Sequence, residues 1–354
     1  MSIFLYELVS KHLLMVNIMR NNYHKLLRTI IIISLFLFSK NGMTQVELTG
    51  FFDVVHTHNF SDNLNNGFQI NQFEIDISAG YKGHFSLGTA IVYIPDENQL
   101  NLAMAYLHYN ILTGEPMHPR REEETNHFGI IAGKFDIHFG LDYLSFASPD
   151  RPVVSQPLII EKTIAGWNDI GLGIHLMRKY FAIDLWSVNG FFGGFNIGGN
   201  FRIKPFSFMQ AGFSHATDFN EKSEAMNRLE GVDIRLNFHP VEIISEYLWT
   251  SALYEGDIDT LSINNIREGF YIQAVTKFDN IINLPFFMTL RYGYCNPRLD
   301  DEVINADCEA ITRYTFGLGY NFAKYCSARL EVQSNQYETK KTNNMLYLQI
   351  VVAY

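Results

Sequence analysis

The chain has 354 residues and a formal net charge of −10; 18% of its residues are charged and 14% aromatic, including 29 Phe and 19 Tyr. A mean hydropathy of −0.03 excludes a bundle of membrane-spanning helices, and the acidic balance argues against nucleic acid as a partner. So many aromatics at average hydropathy fit apolar residues that alternate with polar ones.

Around Met19 the chain reads MRNNYHKLLRTIIIISLFLFSKNGMTQ. Arg20, Lys25 and Arg28 precede an apolar run from Thr29 to Phe38, and Gly42 and Thr44 occupy the −3 and −1 positions of a cut before Gln45. Charged, then apolar, then small is the order of a secretory signal peptide. The run is about half as long as a spanning helix requires; an uncleaved anchor is the alternative. Residues 1–18 add nothing to the signal, so they read as a start-site artefact, 19–44 as the signal peptide and 45–354 as the mature barrel. Removing residues 1–44 takes away five Lys/Arg and one Glu, which moves the net charge from −10 to about −14.

From Gln45 onward the period is two. Val46, Leu48, Phe52 and Val54 alternate with Glu47, Thr49 and Asp53; Tyr314, Phe316, Leu318, Tyr320 and Phe322 alternate with Arg313, Thr315, Gly317, Gly319 and Asn321. Sixteen such segments follow one another, at about 46–57, 68–81, 84–94, 100–112, 127–140, 167–177, 180–189, 194–204, 206–217, 227–238, 241–252, 266–278, 284–296, 311–322, 325–337 and 343–354. Connections after even segments are mostly tight (YKGH, RKY, KPF, HPV, AKY), and those after odd ones mostly long and polar. The charged GEPMHPRREEETN after the fourth is the exception.

An export signal, glycines and charges at mid-strand on the polar faces, and aromatics near strand ends favour a sheet with its apolar face turned outward. In lipid such a sheet must close. The predicted fold is all-β: a closed antiparallel transmembrane β-barrel of about 16 strands in the cell outer membrane. The chain ends in NNMLYLQIVVAY, with Leu346, Leu348, Ile350, Val352 and Tyr354 in alternation. A last strand of this kind pairs with the first and is the usual address for the barrel assembly machinery. Lipid and lipopolysaccharide are the expected surroundings.

Sixteen strands enclose an aqueous lumen. The connection after the fifth, LDYLSFASPDRPVVSQPLIIEKTIAGWN, is too long and apolar for solvent, so it is predicted to fold into the lumen as a constriction loop carrying Asp142, Asp150, Arg151, Glu161 and Lys162. An extracellular cap is the alternative. Alternation assigns Arg235, Lys277, Arg291, Arg313 and Arg329 to one lumenal arc. It assigns Glu47, Asp53, Glu74, Asp76, Asp136, Asp169 and Asp184 to another, with Lys134 as an exception. Arcs of opposite sign would set a transverse field across the pore; paired lumenal salt bridges are the alternative.

The stretch GIIAGKFDIHFGLDYLSFASPDRPVVSQPLIIEKTIAGWNDIGLGIHL resembles the phosphate-selective porins and related porin-like outer-membrane barrels of Bacteroidota type. The matching positions are Gly133, Lys134, Phe135, Phe139, Gly140, Glu161, Asp169, Ile170 and Gly171. The resemblance covers about fifty residues. It implies a 16-stranded passive channel for small polar or ionic solutes, often a homotrimer. It does not carry phosphate specificity, because the loop offers only Arg151 and Lys162 against Asp142, Asp150 and Glu161. A non-conducting structural or adhesin-type barrel is the rival reading.

No GxSxG or HExxH occurs and the histidines are scattered, so no enzyme activity is expected. Cys295, Cys308 and Cys326 show no zinc or CxxC spacing, and neither a metal nor a cofactor is assigned. Cys295 and Cys308 bracket an outer loop: they form either a disulfide or two unpaired thiols.

Overall fold

The computed structural model describes residues 43–61, 66–81, 84–95, 99–112, 126–145, 147–164, 166–190, 194–219, 227–251, 266–279, 284–298, 309–339 and 341–354. Residues 1–42, the charged connection after the fourth strand and Cys308 lie outside them, so the start-site, signal-peptide and disulfide readings are not addressed by the coordinates.

Among the described residues sixteen strands follow in order: β1 (Met43–Asn59), β2 (Gly67–Tyr81), β3 (Phe85–Ile94), β4 (Gln99–Asn110), β5 (Asn126–Asp136), β6 (Asn168–Arg178), β7 (Phe181–Asn189), β8 (Phe195–Phe206), β9 (Met209–Phe219), β10 (Asn227–Phe238), β11 (Val241–Ser251), β12 (Ile266–Lys277), β13 (Phe286–Arg298), β14 (Ile311–Ala323), β15 (Cys326–Tyr337) and β16 (Thr342–Ala353). Each is hydrogen-bonded to its neighbours in sequence, and β1 to β16, so the sheet is a closed barrel. The seam runs in unbroken antiparallel register from Phe51 opposite Ala353 to Asn59 opposite Met345. Tyr354 completes it: its N–H donates to Gly50 O at 3.0 Å, and Gly50 N–H donates to Tyr354 O at 3.3 Å. A lipid-facing edge would leave such groups unsatisfied at several kcal/mol each, roughly. Closure removes that cost.

The two-residue period sorts the faces. Leu172, Leu185, Leu290 and Ile350 stand out from the barrel, each more than half exposed. Asp53, Glu74, Asp184, Arg291, Glu331 and Gln349, on the alternate positions, are buried inside. Aromatic pairs ring the short-turn end: Phe206, Phe208 and Phe238 stack in series with centroids 5.3 Å apart, Phe85 meets Tyr109 at 4.6 Å and Phe286 meets Tyr320 at 4.7 Å. This is the interfacial girdle of membrane barrels.

The lumen is not polar throughout. Ile131, Phe135, Trp186, Leu229, Leu248 and Tyr271 project inward from β5 to β12 and enclose Phe139, Leu158, Ile159 and Ile160 in one apolar cluster. Alternation alone assigns apolar residues to lipid; here an ingrown segment supplies a second apolar partner. For the same reason β5 ends at Asp136, four residues before its periodicity does. Ile137 N–H turns to Trp167 O at 2.9 Å, and the backbone leaves the ladder for the interior.

Candidate functional site: a loop clasped across the lumen

The segment between β5 and β6 lies inside the barrel, as the constriction-loop reading expected. Two glycines stand where it begins. Gly133 has φ +124°, and a Cβ there would sit 2.2 Å from Ala105 O. Gly140 has φ +64°, a left-handed conformation that other residues adopt at a cost of about 1–2 kcal/mol. A Cβ on it would meet Glu246 Oε1 at 1.6 Å. The loop then forms 3-10 turns at Asp142–Ser145 and Ser148–Asp150 and a short helix, α1 (Leu158–Glu161).

One side of the loop is held by the apolar cluster, the other by a row of arginines from three adjacent strands. Arg291 donates to Ser155 O at 3.0 Å and to Gln273 Oε1 at 3.4 Å. Arg313 donates to Glu161 Oε2 at 2.6 Å and to Asn335 Oδ1 at 2.7 Å. Arg329 reaches the carbonyls of Ser148 and, at 3.0 Å, Pro149. Glu331 accepts from Ser155 N–H at 2.9 Å. Two strands on from Arg329, on β1, Asp53 accepts from Ser148 Oγ at 3.1 Å and from Asn71 Nδ2 at 2.9 Å, and on the far wall Gly140 N–H donates to Ser214 Oγ of β9 at 2.9 Å. Buried backbone carbonyls need donors. Guanidinium groups with several fixed N–H vectors supply them and keep their charge.

The loop's own charges respond to this burial. Desolvation pushes the Asp142 carboxyl up, against the pull of Arg151 and Arg291. Desolvation would also lift Glu161, but the Arg313 guanidinium and Lys162 hold it below the ordinary value of 4.5. Arg151 Nε donates to Ser145 O at 3.0 Å and braces the first turn. Asp150 ends the second 3-10 turn. Lys162 Nζ lies 3.6 Å from Glu161 Oε1, and its carbonyl oxygen accepts from Arg267.

The other sequence-assigned residues divide. Asp53, Glu74, Asp184, Arg291, Arg313 and Arg329 are buried on inward positions. Glu47 and Asp76 keep the inward parity of Asp53 and Glu74, and Asp169 pairs with the inward Phe135. Arg235 is ion-paired with Glu242, and Lys277 stands at the short-turn end of β12. Lys134 does not share their parity: it pairs with the outward Ile170 and donates to Leu102 O at 2.9 Å. Asp136, the last residue of β5, lines the spaces beside His138 and Phe139 where the chain turns inward. The alternation of β5 misleads because Ile131 and Phe135, apolar and apparently lipid-facing, pack on the loop. The two-arc picture needs correction too. Arg202, Asp218, Asp233, Glu246 and Glu331 are buried inward as well, so acids and bases interleave around the wall. Period-two parity alone could have located every one of these. Cys295 is buried on β13.

Between the loop and the β10–β13 wall a cavity of about 260 Å³ is lined by Leu144, Pro149, Arg151, Arg235, Glu242 and Lys277. It carries both signs of charge and lies toward the short-turn end.

No protein-family model and no curated protein matches this sequence. Solved structures match its fold. OmpT in trimer form, an outer membrane protein of Vibrio cholerae, superposes with TM-score 0.62 at 10% identity, over 89% of this chain and 100% of that one. The anion-selective porin of Comamonas acidovorans gives 0.58 at 11% identity, over 88% and 99%. The outer membrane channel DcaP of Acinetobacter baumannii gives 0.60 at 12% identity, over 89% and 99%. The chain thus has the fold of a porin-type outer-membrane β-barrel.

Proposed function

We propose that this protein is an outer-membrane porin, a passive diffusion channel for small polar or ionic solutes, with the β5–β6 loop as its constriction. The observation that carries the reading is a closed barrel with a charged cavity beneath a loop clasped to both walls. Constriction by an internal loop narrows a wide lumen to solute size while wall charges tune ion preference. Residues 19–44 serve export in this reading, the assembly machinery inserts the barrel among lipid and lipopolysaccharide, and three copies associate, by analogy with the trimeric neighbour. The resemblance at Gly133, Lys134 and Phe135 supports a channel rather than a phosphate site, because the loop offers only Arg151 and Lys162 against Asp142, Asp150 and Glu161. A non-conducting structural or adhesin-type barrel is the second reading, favoured by the apolar cluster in the lumen.

The test is planar-bilayer recording of the purified chain. Discrete conductance steps are expected, and Arg235→Ala with Lys277→Ala should shift the reversal potential in a salt gradient toward cation preference. A folded barrel that passes no current supports the second reading instead.

A further inference from the structure

Four histidines that the channel reading does not use converge inside the barrel on Asp184, one of its acidic lumenal residues. His108 comes from β4, His127 from β5, His175 from β6, Asp184 from β7 and His138 from the first residues of the loop. Each strand residue occupies an inward position, and these four are less than a tenth exposed. The sequence assigns Asp184 to the lumen but leaves the histidines without a role, because they are scattered along the chain. Antiparallel pairing of successive strands brings them together: His175 stands opposite Asp184 in the β6–β7 ladder.

The centre is the Asp184 carboxylate. Its Oδ1 faces His175 Nδ1 at 2.7 Å and His138 Nδ1 at 3.0 Å, while Arg202 Nη2 donates to Oδ2 at 3.0 Å. The three ligand-capable atoms lie within 4.8 Å of one another. A cavity of about 30 Å³, roughly the volume of one water, opens beside them, lined by His108, His138, His175, Tyr106 and Phe135. His108 borders it with Nδ1 buried and without a hydrogen-bond partner, and its ring lies 5.9 Å from that of His175. The opposite nitrogen of His108 meets His127 Nε2 at 3.3 Å. Gly129 makes that approach possible: a Cβ there would be 2.3 Å from His108 Nε2 and 2.7 Å from His127 Nε2.

We propose that His138, His175 and Asp184 form a lumenal binding site for one divalent transition-metal ion of borderline softness, such as Zn²⁺, Co²⁺ or Ni²⁺. Two imidazole nitrogens and one carboxylate oxygen suit these ions rather than Ca²⁺ or Mg²⁺, which take oxygen ligands. Tetrahedral bonds of about 2.0–2.2 Å set ligand atoms about 3.3–3.6 Å apart, so the two contacts to Oδ1 must open by roughly 0.3–0.9 Å. Arg202 fixes the carboxylate by its other oxygen, an outer-sphere role that leaves Oδ1 to the metal. The ion displaces the protons on the two Nδ1 atoms, and the fourth position faces the cavity and His108. The site does not depend on whether the barrel conducts.

The test uses the tag-free mature chain folded in detergent, with Zn²⁺ titrated by calorimetry and Co²⁺ followed by its visible absorption bands. One ion per chain is expected. His175→Ala and Asp184→Asn should each weaken binding by more than the roughly 10–100-fold of an outer-sphere change. His215→Ala, which alters an exposed histidine paired with Glu230, should leave binding unchanged. Should the strand variants fail to fold, His138→Ala removes a ligand that lies outside the strands. Failure of the folded wild type to bind either ion, or undiminished binding in His138→Ala, overturns the proposal. Conductance is not read, so the outcome is separate from that of the channel test.

Discussion

Gly140 shows how much one position decides. Its left-handed φ and the closeness of Glu246 leave no room for a side chain. Gly140→Ala is therefore expected to lower stability by at least about 1–2 kcal/mol, the cost of forcing a side chain into that conformation. Urea-unfolding midpoints in detergent read this directly; an unchanged midpoint would mean that the loop does not enter the barrel there. The glycine was visible in the sequence as part of a family-like motif. Its physical role was not, because the atom it must avoid belongs to Glu246, more than a hundred residues away.

At the scale of the element, the loop is fastened by apolar burial on one side and guanidinium hydrogen bonds on the other. Arg313→Ala removes donors to Glu161 and Gln156. Hydrogen bonds to charged groups contribute about 1.5–3 kcal/mol each, so trypsin should cut after Lys162 roughly tenfold faster or more once the clasp opens. An unaltered cleavage rate would assign the fastening to the apolar side alone. The clasp also has a pH signature. Glu161 has a depressed pKa in the folded state, so its contribution is present above the unfolded value of 4.5 and is lost as pH falls through the lower folded value. Asp142, shifted upward by burial, acts oppositely: it favours the fold most when protonated and less as pH rises through its folded value. A conductance change that comes from the Glu161 clasp should thus appear only below the ordinary glutamate range. A change above that range belongs to Asp142 and should vanish in Asp142→Asn.

At the scale of the whole molecule, lipid outside and a filled lumen inside make opposite demands on alternate residues. Leu348 stands outward in the middle of β16, nearly half exposed. Leu348→Arg should destabilise the barrel in bilayers by about 2–4 kcal/mol, as a cation does at mid-membrane on a barrel's lipid face. Equilibrium unfolding in lipid vesicles measures it. A negligible effect would mean that this face is covered by protein, as at a subunit interface.

The strands, their even number, the side of the long loops and the ingrowth of the β5–β6 segment were all legible in the sequence, because each is written in local periodicity and length. Lipid enforces a two-residue period that no single contact can override. The tertiary structure alone decided which partners each inward side chain meets. It placed Ile131 and Phe135 on the loop rather than in lipid and left Lys134 outside. It set Glu331 among the arginines and drew scattered histidines around Asp184. Period two states which face a residue takes but not what fills the space beyond it, and in this barrel that space is occupied by a distant part of the chain.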